Sequence, residues 1–209
     1  VDKEDVFRHF SAIGGAPVDI EDHIIPFLRA GGLKDELYLF AVDINHEQLR
    51  GKLVHWEPWD YNNDWATDFD RPRLCATIWV AKSLDVRWQR VIACKELLHV
   101  LDPPDDRVSA TEDIERLVGK IVLPLGSEPS PLDDPKTLAD VMGLYEALAV
   151  LFPWRVREEL ISRYMARTLS LSQIAEYVDL PETLVAVVMS EHWPELHKVI
   201  CPSNGKQQA

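Results

Sequence analysis

The chain has 209 residues, enough for one sizeable core or for a core with a small helical appendage. Its net charge of −13 excludes broad phosphate-backbone binding, which needs clustered Lys and Arg. No apolar run reaches the roughly 18 residues that a bilayer span requires, so no membrane role is expected.

The first residues, 1–10, are charged and amphipathic, which does not read as a signal peptide. Residues 3–13 are predicted to form a short helix that Gly14 and Gly15 end. Asp19 is placed to cap a second helix over 20–30, kinked or delayed by Pro26. Residues 37–44 and 53–56 read as strands joined by a hairpin loop at 45–51. An acidic loop over 57–72 follows, carrying Trp59 and Trp65 among Asp60, Asp64, Asp68 and Asp70. It reads as a segment folded over the core, with a recognition surface as the alternative. Residues 74–81, LCATIWVA, form the clearest strand. Trp79 and Trp88 are expected in the core, as are the small thiols Cys75 and Cys94.

From residue 86 onward the pattern is helical. Helices are predicted over 86–101, 111–123, 138–152 and 154–168, with a Pro-, Ser- and Asp-rich linker at 124–135. Arg155, Arg157, Arg163 and Arg167 read as a solvated helix face. Residues 170–192 have helix-turn-helix spacing: 172–178, a turn at Asp179 and Leu180, then 181–189. The second of these helices has no Lys or Arg to offer a base edge, so it is expected to pack or bind protein, not DNA. The 201–209 tail is expected to be disordered. Three cysteines without metal-knuckle spacing point to reduced thiols and a cytoplasmic location.

The fold expected is α+β. A small antiparallel sheet packs on a central helix in a core over 1–135, and a helical part over 136–200 joins it as one unit. The chemistry sits in that helix. Residues 88–102 read WQRVIACKELLHVLD. In a zincin helix, His-Glu-x-x-His sets two imidazoles four residues apart on one face, where both reach one Zn²⁺, and the Glu serves as general base. Here Glu96 and His99 stand in place, and Lys95 occupies the position of the first histidine. An ammonium has three donors and no lone pair, so Lys95 would repel a dication; it can instead pair with Glu96, Asp102 or Asp140.

The run TIWVAKSLDVRWQRVIACKELLHVLD resembles the core of the ImmA/IrrE-type metallopeptidases, with strand 77–80, Arg90 and residues 95–99 as the matching parts. Residues 170–190 are similar to the helix-turn-helix-like tail of that family, and the resemblance spans 37–193. It implies a third metal ligand on a later helix, at Asp140 if the apolar-Pro pattern is 147–153, or at Thr111 with Glu112 beside it if the pattern is 120–124. Asp140 fits the order of the following elements better. The resemblance implies a degenerate peptidase without cofactor, acting as a regulatory protein on a protein partner of the kind the family cleaves in phage or stress control. The alternative is a zinc hydrolase with a rearranged site: Glu96 as base, His99 as ligand, and Asp140, Asp102, Glu112, His46 or His55 completing it.

Overall fold

The structure, a computed structural model, describes residues 1–47, 49–56, 74–102 and 135–201, and within 135–141 the backbone alone. The acidic tryptophan loop, Thr111, Glu112, the helix expected at 111–123, the linker up to residue 134, the side chain of Asp140 and the tail beyond Cys201 lie outside it. The fold is α+β, as the sequence pattern predicts.

Helix α1 (Lys3–Ser11) starts at a reciprocal cap: Asp2 accepts from the Asp5 amide, and Asp5 accepts from the Asp2 amide. A π-helical turn (Ile20–Ile24), capped by Asp19, runs into α2 (Ile25–Ala30). Pro26 sits in the first turn of α2, where a missing N–H leaves no helix bond unmade. The proline therefore divides the segment without breaking it.

Three strands form one sheet: β1 (Glu36–Val42), β2 (Gly51–Trp56) and β3 (Cys75–Ala81). The order is β1-β3-β2. This corrects the expected hairpin and the purely antiparallel sheet. β1 runs parallel to β3, from Glu36 opposite Cys75 to Val42 opposite Ala81, while β2 runs antiparallel to β3. The cause is burial. β3 is buried at every position but Trp79, so it takes the centre, and the more exposed β1 and β2 become the edges. Strand alternation turns Leu37, Leu39, Leu53, Ile78 and Val80 to one face. It turns Tyr38, Phe40, Trp56, Thr77 and Trp79 to the other, so Trp79 lies on the outer face, 36% exposed, and not in the core.

Helix α3 (Val86–His99) packs against the inner face, capped at Asp85. Every residue from Val91 to Leu98 is buried, because the sheet covers one side and α4 (Pro135–Leu151) the other. Gly51 permits the close approach of β2. A Cβ there would stand 2.2 Å from Ile92 Cγ2 and 3.4 Å from Glu96 Cγ. The chain continues through α5 (Trp154–Met165), α6 (Leu171–Val178), α7 (Glu182–Val188) and α8 (Trp193–Ile200). One continuous cluster of buried side chains runs from Val6 and Phe10 through Leu97, Leu98 and Leu148 to Trp193.

Arg157 is another correction. It is not on a solvated face but buried, donating from Nε to the Val188 carbonyl (2.7 Å) and from Nη2 to that of Ser190 (3.1 Å). The guanidinium thus satisfies the open carbonyl end of α7. Helix α8 lies beyond the elements predicted individually from the sequence. Its signals are Pro194 in the first turn and the four-residue spacing of Leu196 and Ile200. On it His197 tilts against Trp154, with ring centres 4.7 Å apart, and its Nε2 lies 3.4 Å from Ser11 Oγ. Among the described residues no helix is long and apolar enough to cross a membrane.

Candidate functional site

The last turns of α3 carry Lys95, Glu96 and His99. Residues 95 and 99 share a helix face, and residue 96 is turned by about 100° from 95. The surroundings follow that geometry: Lys95 and His99 face α4 at Gly143, whereas Glu96 faces β2 at Gly51. Although adjacent residues do not share a face, the two long side chains bend together. Lys95 Nζ stands 3.1 Å from Glu96 Oε1, with the side chains only 10% and 8% exposed. Of the three carboxylates open to Lys95 in the sequence, Glu96 is thus a partner. Taking one member away would leave the other as a buried charge lacking that counter-ion, a defect that costs about 3–5 kcal/mol.

His99 belongs to a second set of contacts. Its Nδ1 lies 2.6 Å from Asp102 Oδ2, at the end of the same helix. Asp102 Oδ1 in turn meets Lys3 Nζ at 2.5 Å, and Lys3 reaches Glu146 Oε2 on α4 at 2.8 Å. This chain of charges fastens α1, α3 and α4 together. Burial alone would raise the Asp102 pKa, but the hydrogen bonds from His99 and Lys3 outweigh it and hold the carboxyl below its usual range. Burial opposes the charge on Lys3 as well, and its bonds to Asp102 and Glu146 raise the ammonium above its usual value.

Gly143 closes the site from the α4 side. A Cβ at this position would stand 3.0 Å from His99 Nε2, 3.2 Å from Lys95 Cγ and 3.3 Å from His99 Cε1. The side chains at both motif positions therefore rest against helix backbone. Asp140 lies one turn before Gly143 on α4, so the helix on which the third ligand was expected does run past Lys95 and His99.

The described residues do not fit a divalent metal. Lys95 has no lone pair to give while it is held as an ammonium on Glu96, and Asp102 is occupied by His99 and Lys3. His46 is engaged with Ser83 Oγ, 2.9 Å from its Nδ1. His55 is in β2 opposite Ala76. Among the described residues no three His, Cys, Asp or Glu side chains are grouped to hold an ion. Work as a general base would also cost Glu96 part of its pairing with Lys95, since a protonated carboxyl no longer balances the buried ammonium.

Arg90 has a structural role. Its guanidinium donates to the carbonyls of Val178 (2.9 Å), Asp179 (2.5 Å) and Val18, and so ties α3 to the end of α6. Asp179 sits there in the left-handed region, with φ 53°. In the following helix, α7, Leu184, Val185 and Val188 are buried in the core.

Sequence reasoning missed Lys3, Glu146 and Gly143. Lys3 and Glu146 stand 143 positions apart and leave no local pattern. Gly143 did leave a signal, since an isolated glycine inside an otherwise helical run points to close packing. No protein-family model matches the chain, and no similar curated protein or solved structure was found for it.

Proposed function

We propose that this chain is a degenerate relative of the zincin-type peptidases of the ImmA/IrrE kind, and that it works as a regulatory protein by binding a protein partner without a metal. The observation that supports this reading is the buried Lys95–Glu96 ion pair, which stands where such a peptidase has its first histidine and its general base. The ammonium supplies the positive charge that a buried carboxylate otherwise takes from a metal. The site keeps its fold and gives up its chemistry.

One observation favours a second reading. Asp102 holds His99 through Nδ1, the outer-sphere arrangement that orients histidines toward metals through Nε2. A zinc hydrolase using His99, Asp140 and Glu96 would share this contact.

Elemental mass spectrometry of protein purified without chelator separates the two. The expected result is no bound zinc or manganese, even after incubation with zinc. Near-stoichiometric metal would overturn the proposal and move the work to Glu96→Gln and peptide hydrolysis. Lys95→His gives the complementary check. In a former zinc site it should create measurable zinc affinity, and a folded variant that gains none would count against the zincin-like assignment.

A further inference from the structure

We draw no further inference here: the strongest candidate, the exposed aromatic outer face of the sheet at Tyr38, Phe40, Trp56 and Trp79, carries nothing because nothing among the described residues shows what covers it.

Discussion

Gly143→Ala tests the contact between α4 and the motif helix. In an open helix this change gains about 1 kcal/mol, since alanine is the better helix former. Here the new methyl would stand 3.0 Å from His99 Nε2, 3.2 Å from Lys95 Cγ and 3.3 Å from His99 Cε1. These distances lie inside the ~3.5–4.0 Å of a comfortable contact. Neither neighbour yields easily, because His99 is held on Asp102 and the Lys95 Cγ is close to its own helix backbone. Overpacking of this kind costs about 1–3 kcal/mol. The net expectation is a loss of about 1 kcal/mol, or a Tm lower by roughly 2–4 °C. In a His99→Ala background two of the three close atoms are gone, so the same change should be neutral or stabilising. Urea unfolding of the four proteins in the cycle should give a coupling of at least about 1 kcal/mol. If Gly143→Ala stabilises both backgrounds equally, His99 does not pack on Gly143, and the site geometry described above is wrong.

Arg90→Ala removes three carbonyl partners at once and should cost about 3 kcal/mol in urea unfolding. Arg90→Lys should recover only a minor part, because one ammonium cannot reproduce the guanidinium fork. Stability should also fall on both sides of neutrality. Burial and the nearby Arg157 lower the His197 pKa, so its contribution is present above the usual 6.5 and is lost as pH falls below that value. The depressed Asp102 adds a further loss as pH falls below its usual 3.8, and the raised Lys3 contributes below 10.5 and is lost as pH rises above it. Urea midpoints against pH should show this, and Asp102→Asn should remove the lowest part of the acid arm. Burial pushes Cys94 up to about 12 and Cys201 up to about 11, so both should react slowly with a thiol reagent at pH 8, with the half-buried Cys201 ahead of Cys94. Fast reaction of Cys94 in the native protein would contradict its burial.

The elements were largely legible in the sequence. The helix predicted over 86–101 appears as Val86–His99, and the strand at 74–81 as Cys75–Ala81. Apolar periodicity and punctuation by Asp85, Pro26 and Pro181 carry that information locally. The pairing of the strands was not legible. β1 and β2 are neighbours in sequence, which suggests a hairpin, yet the sheet is decided by β3, a strand more than thirty residues from β1 that is apolar enough to sit between them. For the site, the spacing of Lys95, Glu96 and His99 set out the motif, and helical geometry did the rest. The Lys3–Asp102–His99 chain lay beyond reach, because a long-range ion pair between exposed-looking residues has no spacing rule.

The two capping arginines bear on how far the α6–α7 pair can be regarded as a module. Arg90, from α3, holds the carbonyl end of α6, and Arg157, from α5, holds that of α7. Each helix end has its own backbone caps as well, at Asp179 and Met189, but the carbonyls beside them are taken by these arginines. The pair is thus finished by residues that lie far upstream of it in one case and on the preceding helix in the other. Cut out or grafted elsewhere it would lose both cations, and with them the positive charge that each helix's carbonyl end now meets. A segment that looks autonomous by its spacing is in this chain a dependent one.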